Sequence, residues 1–123
     1  MAAPNIVNVT TITGKTATMS PTTSVATVVS NAASSGKVFK VNTLIVSNID
    51  GTSACSVTVN YYPQDDVEGT GVAICSTVSV PAHASLVVID KNSCIYLEED
   101  KSIGAIAGAN GDLQVVVSYE EIS

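Results

Sequence analysis

His83 is the one histidine in this 123-residue chain, so a Ser/His/Asp or Cys/His mechanism would have to use it. It sits in Pro81-Ala82-His83-Ala84, a connection between apolar runs; the chain has no Gly-x-Ser-x-Gly elbow, and nothing marks a third group to orient the imidazole. These residues predict a surface-loop histidine, no catalytic residues and no enzymatic activity. Cys55, Cys75 and Cys94 are an odd number, far apart, without CxxC or Cys/His zinc spacing. Each lies in or beside an apolar run, where a free thiol behaves as a small buried hydrophobe. Two acidic groups, Asp65, Asp66 and Glu68 in one stretch and Glu98, Glu99 and Asp100 in another, could offer oxygens to Ca²⁺. Neither has the spaced aspartates of an EF-hand loop, and loop carboxylates are ordinarily solvated, so no metal and no cofactor are expected. Asn8-Val9-Thr10 fits a glycosylation sequon, which matters only in a secreted chain. Tyr61 and Tyr62 are the one adjacent aromatic pair. Neighbours on a strand face opposite ways, so one is expected in the core and the other exposed, at a sugar-binding or protein-binding rim.

The elements that must position these residues are strands. About a third of the chain is Val, Ile or Thr, with four Leu, no Arg and no Trp. Branching at Cβ suits a pleated, half-buried surface better than a helix. Strand patterns cover residues 24–31, 38–49, 54–62, 72–80, 85–89, 94–97, 103–107 and 113–120. In the second, Phe39, Val41, Ile45 and Ile49 share one parity. In the third, Cys55, Val57, Val59 and Tyr61 alternate with Ser56, Thr58 and Asn60, the pattern of an antiparallel strand with one wet face. Val72, Ile74, Val78 and Val80 repeat that alternation. Asp50-Gly51 marks a turn, and Asn110-Gly111 between apolar segments signals a two-residue hairpin. Some eight short strands with Gly, Pro, Asn and Asp between them predict an all-β fold. The expected architecture is an antiparallel two-sheet β-sandwich, Ig-like or jelly-roll-like, with a small barrel as the alternative. One domain is expected, over residues 25–123, with residues 1–24 as an extended N-terminal arm or an edge hairpin. In that segment Gly14-Lys15 breaks the alternation and Pro21 ends it.

Five Lys against eleven acids leave a net charge of −6, without basic patches, which excludes nucleic-acid binding. No apolar run reaches membrane-spanning length and no signal-peptide pattern is present, so synthesis in a reducing cytoplasm is expected.

Several stretches carry a resemblance. Lys40-Val41-Asn42-Thr43-Leu44-Ile45-Val46-Ser47-Asn48 is followed by Asp50-Gly51-Thr52, and then by Val57-Thr58-Val59. Val80-Pro81-Ala82 leads into Leu86-Val87-Val88-Ile89-Asp90-Lys91. Tyr96-Leu97-Glu98-Glu99-Asp100-Lys101-Ser102-Ile103 and Ser118-Tyr119-Glu120-Glu121-Ile122 complete the set, with Thr11-Ile12-Thr13-Gly14-Lys15-Thr16 near the start. Together these resemble small virion structural proteins of tailed bacteriophages, particularly T4-like phages of marine cyanobacteria. Related sequences often have Gly after Pro-Ala, where this chain has His83, a departure that bears on the turn. The resemblance implies a non-enzymatic virion component, assembled in the host bacterial cytoplasm. A capsid decoration or cement protein is favoured, and a neck, tail or baseplate accessory is the alternative. Its partners would be the major capsid protein or neck and tail proteins, and other copies of itself in a homo-oligomer. No membrane and no nucleic acid are among them. The expected interface is the arm and strand edges, with Ile6, Val7, Val9, Thr11, Ile12 and Tyr62 as candidate contacts. A host-surface glycan-binding module using Tyr62 and residues 64–71 is the reading from another class.

Overall fold

A computed structural model describes residues 10–123. Its elements are β1 (Ile12–Met19), β2 (Ala26–Asn31), β3 (Val38–Asn48), β4 (Cys55–Tyr62), β5 (Val72–Val80), β6 (Ser85–Ile89), one 3-10 turn (Lys91–Ser93), β7 (Ile95–Leu97), β8 (Lys101–Ala107) and β9 (Leu113–Ile122). They form two antiparallel sheets. The first has the order β1-β9-β3-β6, with β7 also on β3, and the second has the order β2-β8-β4-β5. The expected two-sheet β-sandwich is what the chain forms.

The strand order also decides between the two topologies. β1 pairs β9, β2 pairs β8, β3 pairs β6 and β7, and β4 pairs β5. This is a chain doubled on itself with β4-β5 at the tip and then rolled, the two-Greek-key plan of a jelly roll. β6 and β7 act as one interrupted strand along β3. The interruption is the 3-10 turn, where Asp90 Oδ1 accepts from the Asn92 and Ser93 amides at 2.9 and 3.0 Å and the Ser93 hydroxyl reaches back to the Asp90 amide.

Several expectations are corrected. Gly14-Lys15 does not break the first strand: β1 runs through it, in unbroken register with β9 from Ile12↔Ile122 to Met19↔Val115. Asn110-Gly111 does not make a hairpin, because β8 and β9 belong to different sheets; the segment is a corner between sheets, with Gly111 at φ +84°. The parity proposed for residues 38–49 also fails. The register jumps between Val41 and Thr43, a β-bulge at Asn42 that turns the second half of β3 by one residue. Phe39, Val41, Leu44 and Val46 therefore face the core, and Ile49 is half exposed. Bulging also affects β5, where the pairing with β4 slips twice and Thr77 sits at φ +50° with its amide on Thr58 Oγ1 at 2.9 Å. Of its expected inward set, Val80 is buried but Val72 is 65 % exposed.

Between the sheets lie Leu44, Val46, Val57, Val59, Ile103, Ala105, Val115 and Val117, all essentially without solvent contact. Most are β-branched, so each loses little rotamer freedom when packed. Two buried asparagines tie loops to this core. Asn31 Nδ2 donates to the Lys37 and Leu97 carbonyls at 2.9 and 3.0 Å, while its Oδ1 accepts from the Ser35 hydroxyl at 2.6 Å. Asn48 Nδ2 donates to the Ser53 and Val80 carbonyls at 3.0 and 2.9 Å, and Oδ1 accepts from the Asp50 amide at 2.9 Å. Each asparagine meets one buried carbonyl, of Leu97 and of Val80; leaving such a group unpaired costs about 1–3 kcal/mol.

Candidate functional site

A sandwich has two outer faces, and in this molecule they are finished differently. On the second sheet, residues 63–71 fold back over one end of the face. Ser102 Oγ donates to the Gln64 carbonyl at 2.7 Å and accepts from the Val67 amide at 2.8 Å; the Asp66 amide donates to Ser30 Oγ at 3.0 Å. Val67 adopts φ +56°, costly for a β-branched residue, and is held there by these bonds. Gly104 makes the approach possible, since a Cβ there would lie 2.5 Å from Val67 Cγ1 and 3.1 Å from the Ala26 carbonyl oxygen. Under the loop lies Tyr62, 6 % exposed, its ring between Gly71 and Gly104 and its hydroxyl accepting from Asn60 Nδ2 at 3.3 Å. The ring expected at an exposed rim is thus a packing element: the β4-β5 loop covers the outward face where Tyr62 points. Tyr61, inward by parity, is partly buried against the core, and that burial raises its phenol pKa.

The outer face of the first sheet carries no such loop over its middle rows among the described residues; at one end Val38 and Ile122, which share the outward parity of Lys40 and Glu120, are only 4 % exposed. The register places Thr18, Val116, Ile45 and Val87 in one row across β1, β9, β3 and β6. Val116 is 42 % and Val87 56 % exposed. Beside this row run Thr16, Ser118 and Thr43 on one side, and Gln114, Ser47 and Ser85 on the other. The next row is Gly14, Glu120, Lys40 and Tyr96, with Tyr96 43 % exposed. Its one acid and one base are direct cross-strand neighbours, so these four rows carry no net charge in a chain of net −6. A shallow cleft of about 270 Å³, lined by Thr18, Met19, Ser20, Gln114, Val115 and Val116, lies at the β1-β9 end of the apolar row. Chemically this surface offers flat apolar area with hydroxyl neighbours, the material of a contact face.

The edge strand β1, laddered to β9 over its whole length, also carries an ion pair. Lys15 faces inward by parity, in line with Ala17 and Met19, which pack on the core. Its Nζ meets Glu121 Oε2 at 2.9 Å, and Lys37 Nζ meets Glu121 Oε1 at 2.6 Å. The hydrogen bond from Lys37, then that from Lys15, holds the Glu121 carboxyl below its usual pKa, while Glu121 raises that of Lys15.

Of the other sequence-selected residues, Thr11 exchanges backbone hydrogen bonds with Ser123 at 3.0 Å in both directions, and Ile12 is 57 % exposed. Ile6, Val7 and Val9 lie outside the described residues. His83 is exposed at φ +57°, a left-handed backbone that glycine adopts freely. Its ring lies over Gly51, where a Cβ would be 2.8 Å from Nε2. Neighbouring Asp50 has its pKa lowered, first by the Thr52 amide, then by the Thr52 hydroxyl. Cys55 is buried, and Cys75 and Cys94 are half-buried. Burial raises the Cys75 thiol pKa and so reduces its reactivity. The two acidic stretches do come together, with the Asp65 amide on Asp100 Oδ1 at 3.1 Å; among the described residues no three His, Cys, Asp or Glu side chains are grouped to hold a metal ion.

Ile45, Val87, Val116 and Tyr96 were not selected from the sequence. Their signal is the continuous runs Leu86-Val87-Val88-Ile89 and Val115-Val116-Val117. A sheet with a single core face must turn alternate residues of such a run outward.

No family model matches the chain, and no curated protein matches it. Among solved structures it is similar to a chain of the Bacillus endospore appendages, described as a novel family of disulfide-linked pili. The TM-score is 0.52 at 15 % identity, over 92 % of this chain and 88 % of that one. At that identity the likeness concerns the fold alone.

Proposed function

We propose that the chain is a non-enzymatic structural protein of a tailed-bacteriophage virion. In this reading it is a capsid decoration or cement protein that adheres to neighbouring subunits; a neck, tail or baseplate position is the alternative within the same class. The observation that carries an adhesive role is the open, charge-balanced outer face of the first sheet, with its apolar row Val116–Ile45–Val87. Contiguous exposed apolar surface on a small protein marks a place that another surface covers. The kind of particle comes from the sequence resemblance. The pilus likeness is an analogy of fold, and folds do not carry functions with them. The arm around Thr11 and Ile12 adds edge contacts, and strand edges recruit partners through main-chain hydrogen bonds.

The test is addition of purified chain to particles assembled without it. Co-sedimentation at saturating, symmetry-consistent stoichiometry, together with greater resistance of the particle to heat, is the expected result. Particles that leave the chain in the supernatant would refute the reading.

A further inference from the structure

We propose that the covering surface is a second copy of this chain, docked face to face on the first sheet about a two-fold axis parallel to the strands and midway between β9 and β3. This deepens the adhesive reading and rests on it. Such an axis sets β9 of one copy over β3 of the other, and β1 over β6 and β7, while leaving each row facing itself. The register then dictates every pairing. Val116 faces the second copy's Ile45, and Thr18 faces its Val87. Ser118 faces Thr43, and Gln114 faces Ser47.

The charged row supplies the strongest argument. There Lys40 falls over the second copy's Glu120 and Glu120 over its Lys40, so the pair repeats twice with unlike charges opposed. At the row's ends, the half-exposed Tyr96 falls over Gly14, where open space would surround even a Cβ. One face therefore provides apolar against apolar, base against acid, and ring against gap, the self-complementarity that an isologous interface requires. An unrelated partner would have no reason to find these matches within a single copy. Two copies of an acidic chain repel through their remaining surface, and this neutral face is where that repulsion is least.

The area suffices. Four strands about 4.8 Å apart and about eight residues long at about 3.3 Å each give roughly 500 Å² per copy, so about 1,000 Å² for the pair. That is near the lower bound of specific interfaces, as suits a contact repeated many times in a particle. Packed sheets stand about 10 Å apart with strands within about 30° of alignment, which a slight tilt of the axis supplies.

The experiment is sedimentation equilibrium of the full chain from micromolar to millimolar concentration, with Lys40→Glu, Glu120→Lys and the double variant. The wild-type chain is expected to dimerise with concentration. Each single reversal opposes like charges twice and should weaken the dimer about tenfold or more. The double variant should restore it, and an equimolar mixture of the two single variants should form a heterodimer that neither forms with itself. Thermal melting of each single variant confirms that it folds. A wild-type chain that stays monomeric to millimolar concentration overturns the proposal, as does a mixture that fails to associate. Should that monomer still bind particles, with Ile45→Lys abolishing the binding, the face belongs to a different virion protein. The adhesive reading then survives while self-docking fails.

Discussion

The two outer faces start from the same alternating β pattern and end in opposite conditions. On the second sheet a Tyr, a Val and two Gly bring the β4-β5 loop down, and the outward residues become a small second core. On the first sheet the outward residues include Val116, Val87 and Tyr96, and no described segment of the chain lies over them. Apolar content does not separate the faces; whether the chain supplies its own cover does. The second sheet hides its outward Tyr within the fold. The first keeps its apolar row available to another molecule.

The largest test of this contrast compares two tyrosines. Tyr62→Ala removes a ring packed between Gly71 and Gly104 and should cost about 3–5 kcal/mol by chemical denaturation. Tyr96→Ala, at the open face, should stay within about 0.5 kcal/mol. Equal losses would end the comparison. Next, Gly104→Val should push the loop away at a cost of about 3 kcal/mol and open residues 63–71 to limited proteolysis. A variant as stable and as resistant as the parent would mean that the loop is not held by that contact. Smaller still is a pair of adjacent strand residues. Val115→Thr buries a hydroxyl and should lose about 2 kcal/mol, whereas Val116→Thr should leave monomer stability within about 0.5 kcal/mol. The smallest effect belongs to Glu121. Its folded-state pKa is depressed, so its contribution is fully present above the unfolded value near 4.5 and is lost as pH falls through the folded value. Glu121→Gln should thus lower the melting temperature slightly near neutral pH, less so in high salt. Below the folded-state pKa of Glu121 the two melting curves should coincide.

Much of the fold was legible because β-branched residues at period two have one good use. Strand positions for β3, β4, β5, β6 and β9 follow directly from such runs. The misreadings share a cause, namely features that a linear pattern does not record. The bulge at Asn42 exchanges the faces of β3, so Ile45 reads as core and is found outside, while Leu44 and Val46 take its place. Asn110-Gly111 has the composition of a hairpin, but its flanking strands find partners in different sheets. Tyr62 reads as exposed because nothing in its neighbourhood announces that Val67 will cover the same face. Of the candidate contacts, Thr11 and Ile12 are at the surface by β1, and Tyr62 is not.

The amino-acid order by itself determined an all-β chain and the positions of most of its strands, because local propensity and alternation are properties of neighbours in sequence. Which face each side chain occupies, the rolling of the doubled chain into a jelly roll, and the docking of the β4-β5 loop over the second sheet's outer face were decided by tertiary structure. Bulges, sheet partners and loop docking depend on residues tens of positions apart, brought together when the two sheets close on a shared core.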